Sequence, residues 1–239
     1  MCWGNFCFIP GPKKWDEEAR PYMLAWLPAV GAVMGLIWAL IAVALMKIGL
    51  HRMALAAILC WLPFVLSGFI HVDGYMDVND AVMSRGTLEK KRAILKDSRC
   101  GTFAIVSFIF LVMVEFGFLA AACEGGIDPV RLALIMTVPR GLSGLMMMSL
   151  EPMDTSQYNK MQRDKKAEAF MLIQLIVLVF IALNLGEDQF KVCLTVSACM
   201  VGTIISVFCA RKELQGMNGD IAGYGILWGE MLGIISLIV

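Results

Sequence analysis

Seven apolar stretches of about twenty residues divide this chain, at about 24 to 46, 53 to 71, 102 to 122, 129 to 149, 168 to 185, 190 to 209 and 221 to 239. A helix of that length matches the roughly 30 Å hydrocarbon core of a bilayer, where backbone must satisfy its own hydrogen bonds. Hydrophobic residues make up 59% of the sequence and charged ones 17%, with a mean hydropathy of +0.74, which excludes an ordinary soluble domain. The expectation is an all-α polytopic membrane bundle of about seven transmembrane helices. Residues 1–239 form one domain, since no repeat, low-complexity tract or long linker interrupts them. Glycines at four-residue spacing, Gly31 with Gly35 and Gly225 with Gly229 and Gly233, suit close helix packing.

Charge fixes the expected orientation. The net charge is zero, so nothing argues for nucleic acid as a partner. With the N-terminus cytoplasmic, fifteen of the twenty Lys and Arg residues fall on the inner side, as the positive-inside rule requires. The turn from Lys47 to Arg52 runs against that pattern, and a re-entrant pair made of the first two spans would remove the conflict. Polar loops at 72 to 101, 150 to 167 and 210 to 220 then open on one face, the cytoplasmic one. The eight cysteines show no Cys-x-x-Cys spacing and read as small buried hydrophobes.

The chemistry concentrates just after the second stretch, in His71-Val-Asp-Gly-Tyr-Met-Asp-Val-Asn-Asp-Ala81. If the segment is helical, Asp73, Asp77 and Asp80 stand at i, i+4 and i+7, and about 100° per residue brings them to one face. Three carboxylates together need a cation, and oxygen-only ligation suits Mg²⁺ or Mn²⁺, of which Mg²⁺ is commonly held by one or two carboxylates together with a substrate's phosphates. Phosphoryl transfer is therefore the first hypothesis, with a solvated acidic helix end as the plain alternative. Gly74 allows a backbone or a ligand to approach closely. Arg140 falls inside a span, where a charge faces a cavity or a partner. It is read either as a phosphate contact or as half of an ion pair with Glu115 or Glu151.

These residues resemble one family, cobalamin synthase, also called adenosylcobinamide-GDP ribazoletransferase. The resemblance rests on the His71 to Ala81 stretch with Ser84, and on Ile94-Leu-Lys-Asp97-Ser98-Arg99-Cys-Gly-Thr-Phe103. Arg140-Gly-Leu-Ser143-Gly144 and Gly216-Met-Asn218-Gly219-Asp220-Ile-Ala-Gly223 with Glu230 extend it. Asn218 stands where the family usually has threonine. The resemblance implies a Mg²⁺-dependent enzyme that joins adenosylcobinamide-GDP to α-ribazole or its 5′-phosphate with release of GMP, in the cytoplasmic membrane of a bacterium or archaeon. Asp73, Asp77 and Asp80 are then the expected metal ligands, and Asp80, Asp97 and Asp220 the candidate catalytic bases. His71, Ser98, Arg99, Arg140, Ser143, Asn218 and Gly219 are the expected substrate contacts. The oligomeric state stays open, and a homo-oligomer is compatible with the sequence.

Two rivals are weaker. A CDP-alcohol phosphotransferase needs an Ala-Arg pair after its first Asp-Gly and a second spaced-aspartate element, and neither occurs. A divalent-cation transporter should carry its acids near mid-membrane on broken helices, whereas these fall at the end of a span.

Overall fold

A computed structural model describes residues 1–9, 11, 16, 19–97, 99–154, 156–159 and 163–239. Among them the chain is helical without strands, in the order α1 (Cys2–Phe6), α2 (Arg20–Ala25), α3 (Leu27–Lys47), α4 (Arg52–Leu66), α5 (Ile70–Met83), α6 (Leu88–Ile94), α7 (Thr102–Gly125), α8 (Pro129–Ser149), α9 (Lys165–Leu185), α10 (Gln189–Leu214) and α11 (Gly219–Ser236).

Helix starts follow local chemistry. Asp128, Asp164, Asp188 and Asn218 each accept a hydrogen bond from a first-turn N–H, at 2.8 to 2.9 Å for the shortest of each, and so satisfy donors that the helix leaves orphaned. Proline stands in the first turn of α2, α3 and α8, where its missing N–H costs nothing.

The bundle is layered. α8 is the central post, with 78% of its span window buried against 17% for α9. It packs on α3, α9, α10 and α11, and α11 in turn packs on α5, α7 and α10. The outer faces of α7 and α9 stay apolar: Val106, Phe110 and Met113 on one and Ile173, Ile176 and Phe180 on the other are exposed, as lipid-facing residues should be. The spaced glycines seat helices on one another. A side chain at Gly35 would meet the Ala133 backbone of α8 at 2.6 Å, and one at Gly233 would meet Cys199 of α10 at 2.6 Å.

The structure revises the count of spans. Five helical stretches, 20–47 and α7 to α10, are long and apolar enough to cross a membrane, and α4 with α5 make a sixth only if that bent pair counts as one span. α11 carries Asp220 and Glu230 and does not meet the same test. α4 has 15 residues, about 22 Å at 1.5 Å per residue, which is short of a bilayer core. The expected stretch 53 to 71 breaks at Ser67, where Gly68 and Phe69 take left-handed φ values of 60° and 61°, and α5 leaves at 91° to α4. The Leu66 carbonyl at the break accepts the Phe8 N–H at 2.8 Å.

The polar stretch from 72 to 101 is divided between two helices. α5 buries His71, Val72, Tyr75 and Val78. α6 docks on the end of α10: Lys91 pairs with Glu213, and Arg92 donates to the carbonyls of Leu214 at 3.1 Å and Gln215 at 2.7 Å. Two cations of the basic run thus complete a helix C-terminus, which needs acceptors satisfied and favours positive charge.

Candidate active site

The three polar loops meet at one end of the bundle. Met153 N–H donates to Met217 O and Met217 N–H to Glu151 O, both at 2.9 Å, which ties the loop after α8 to the turn before α11. α5 lies against the start of α11, and two glycines make this possible. A Cβ on Gly74 would sit 2.8 Å from the Cα and O of Asp220, and one on Gly223 would sit 3.2 Å from the Cα of His71. Each helix therefore presents a bare backbone to the acid-bearing or histidine-bearing turn of the other.

That interlock assembles the acids. α5 is helical through all three aspartates, as the i, i+4, i+7 spacing predicts. Asp77 is within electrostatic range of Asp73, Asp220 and Asp80. Asp220, from a different loop, thus joins the group. Asn218 positions it: its Nδ2 donates to Asp220 Oδ2 at 2.6 Å while its Oδ1 caps the Ile221 N–H at 2.9 Å. Asparagine at this position therefore has a defined task. Among the described residues, none of these four carboxylates makes an ion pair.

No three of them converge as a ready-made metal cage among the described residues. Asp80 lies against the N-terminus of α7, its carboxylate oxygens 2.1 and 2.2 Å from where a Cβ on Gly101 would lie. A helix N-terminus is a favourable place for an anion. The remaining group of like-charged oxygen donors still fits Mg²⁺, which is usually held by one or two carboxylates with waters and substrate phosphates completing the shell.

A cavity of about 120 Å³ opens beside the acids. Asp73, Asp220 and Gly219 line it together with His71 and Ser143. His71 is 4% exposed and Ser143 is fully buried, and His71 Nε2 and Ser143 Oγ have no hydrogen-bond partner among the described residues. The Phe6 ring stacks on His71 at 6.3 Å between centroids. Gln157 and Tyr158 complete the wall, with the Arg20 guanidinium on the Gln157 carbonyl and 5.5 Å from the centre of the Tyr158 ring.

The other expected site residues lie elsewhere. Arg140 is fully buried and paired with Glu230 of α11, so the ion-pair reading holds with a partner other than Glu115 or Glu151. Its Nη1 also donates to the Met136 carbonyl at 2.8 Å. Asp97 is gripped by Arg99 through both oxygens, at 2.6 to 3.1 Å, which holds its carboxyl down to about 2. Neither residue lines the cavity. Ser98 lies outside the described residues. Gln157, Tyr158, Phe6 and Gly101 were not singled out from sequence; an aromatic residue in a polar loop was the available signal for Tyr158.

Comparison with known proteins places the arrangement. The profile of the cobalamin-5-phosphate synthase family matches residues 1–238. An adenosylcobinamide-GDP ribazoletransferase of Clostridium perfringens (strain 13 / Type A) is 33% identical over 242 residues, covering 99% of this chain and 95% of that protein. Proteins of the same description from Clostridium botulinum (strain Alaska E43 / Type E3) and Geobacillus kaustophilus (strain HTA426) are 28% identical over 241 residues and 24% over 233. They cover 99% and 94% of this chain, and 94% and 88% of their own lengths. No solved structure matches the chain.

Proposed function

The chain belongs to the cobalamin-5-phosphate synthase family, and from that premise we propose that it is the membrane transferase that joins adenosylcobinamide-GDP to α-ribazole or its 5′-phosphate. A ribose hydroxyl of the ribazole attacks the phosphorus next to the cobinamide, so that a 5′-phosphate, where the substrate carries one, passes unchanged into the product. A new O–P bond forms, the diphosphate bridge breaks, and GMP leaves with the bonding electron pair.

The observation that carries this reading is the juxtaposition of Asp73 and Asp77 with Asp220 where Gly74 meets the Asp220 backbone and Gly223 that of His71. Phosphoryl transfer demands positioning and neutralisation of charge more than covalent help. Asp73 and Asp77 would hold Mg²⁺, which when bound offsets the negative charge of the diphosphate. Asp80, placed over the start of α7, would complete the acidic face rather than the first coordination shell.

Among the three aspartates considered as base, Asp220 is the one that lines the cavity. Its Oδ2 is engaged by Asn218, so a hydroxyl nucleophile's proton would pass to Oδ1. Asp97 serves the reaction poorly as a base because Arg99 already occupies both its oxygens. The two form a local brace before α7.

The site end of the bundle also bears most of the Lys and Arg residues, which supports a cytoplasmic active site in the bacterial inner membrane. The test is GMP release by the purified full chain with both substrates and Mg²⁺. Excess chelator, or Asp77→Ala, should lower the rate by roughly 10²-fold or more. Undiminished turnover under either condition would overturn the assignment of these acids to metal and diphosphate.

A further inference from the structure

We propose that the cavity between α5, α8 and α11 holds the aromatic base of the ribazole substrate, and that Ser143 recognises its free ring nitrogen. The inference rests on the reaction assigned above and adds which part of which substrate enters. Size excludes most alternatives. About 120 Å³ is of the order of the roughly 150 Å³ apolar cavity that takes benzene, so it admits part of a flat aromatic base and no macrocycle. A corrin ring must therefore lie outside it.

The walls decide between the two aromatic bases of the reaction. Leu24, Leu27, Met147 and Ile226 line the cavity and are each less than 5% exposed. Deep in this lining, Ser143 Oγ and His71 Nε2 are buried polar atoms without partners. Buried polar groups are normally paired, so two orphans lining one cavity point to a ligand that pairs them. Asp73 and Asp220 are committed to metal and nucleophile in the reaction assigned above, so guanine, with donors and acceptors around most of its edge, would leave more of them against Leu24, Leu27, Met147 and Ile226 than a less polar base does. A benzimidazole nucleoside is apolar except for one ring nitrogen, whose lone pair stays free once the other nitrogen is joined to ribose. The Ser143 hydroxyl can donate to that nitrogen, and His71 Nε2 is then left for a ribose hydroxyl. With the base seated here, the reacting end of the ribose is delivered towards Asp73 and Asp220, which share the same cavity.

Two variants test the assignment on the detergent-purified full chain. Ala222 lines the cavity and is only partly buried. Ala222→Phe should fill the space. It should raise KM for α-ribazole tenfold or more and abolish equilibrium binding of α-ribazole, read by calorimetry without turnover, while KM for adenosylcobinamide-GDP stays within twofold. Ser143→Ala should weaken α-ribazole by roughly three- to tenfold, the size of one neutral hydrogen bond. It should also erase the preference for the benzimidazole riboside over an indole riboside, which has carbon in place of the ring nitrogen. A general packing defect would leave that preference intact.

A rise in KM for the corrinoid substrate alone in Ala222→Phe, or unchanged discrimination in Ser143→Ala, would overturn the proposal. Calorimetric binding of GMP that is lost in Ala222→Phe, with binding of α-ribazole retained, would give the cavity to guanine and overturn it equally. Failure of the wild type to release GMP would count against the reaction, whereas the binding measurements would still decide the subsite.

Discussion

Gly74→Ala isolates the contact on which the acid group depends. A methyl group at this position would lie 2.8 Å from two backbone atoms of Asp220, whereas ordinary contact begins at 3.4 Å. The neighbour is main chain, so no rotamer change can absorb the overlap, and α5 must move from α11 by about 0.6 Å or more. Overpacking of this kind costs about 1–3 kcal/mol, against which alanine recovers about 1 kcal/mol of helix propensity over glycine. The net loss of stability should therefore stay below about 2 kcal/mol. The effect on turnover should be much larger, because displacing reacting groups by the order of 1 Å can lower a rate about 10²-fold.

The assay is GMP release under saturating substrates beside thermal unfolding in the same detergent. Gly117→Ala is the control, since a Cβ there meets nothing within 4 Å. Wild-type turnover in Gly74→Ala with unchanged unfolding would refute the claim that this approach aligns Asp73 and Asp77 with Asp220.

Two further outcomes follow from the ion pairs. Glu230→Ala should destabilise the protein by about 3–5 kcal/mol, because Arg140 is left charged and fully buried, while the double variant with Arg140→Met should recover much of that, as unfolding midpoints will show. The Asp97–Arg99 pair makes a claim about pH. Its folded-state pKa, about 2, lies below the ordinary carboxylate value, so its contribution is complete above that ordinary value and disappears as pH falls through about 2. Any acid limb in the rate profile between about pH 5 and 8 should therefore persist unshifted in Asp97→Asn. Its disappearance would make Asp97 the titrating base.

The sequence exposed the acidic face of α5 because helical periodicity needs no partner to be read. Asp73, Asp77 and Asp80 fall on it by spacing alone. The four-residue glycines likewise announced close helix contacts. What stayed hidden were facts that depend on tertiary distance. Gly74 was recognised as permissive, yet nothing local says that the backbone it admits is that of Asp220. Arg140 reads as an intramembrane charge, but which acid pairs with it depends on the packing of α8 on α11, which brings Glu230 to it in place of Glu115 or Glu151. The break at Ser67 was missed because apolar character continues through Leu66, Phe69 and Ile70, and only the left-handed backbone at Gly68 and Phe69 turns the chain. Gln157 and Tyr158 sit in a loop whose position is set by its ties to Met217 and Arg20, neither of which leaves a periodic trace.

The shortness of α4 also affects the surrounding lipid. Its roughly 22 Å stands beside α7, whose 24 residues reach about 36 Å, so one flank of the protein offers the acyl chains a wall some 14 Å lower than its neighbour. Mismatch of that kind is met by a local dip of the leaflet or by drawing polar groups down to the acyl boundary. Either response would bring the headgroup region nearer to the α4–α5 break at Phe69 and Ile70 than a full-length span allows.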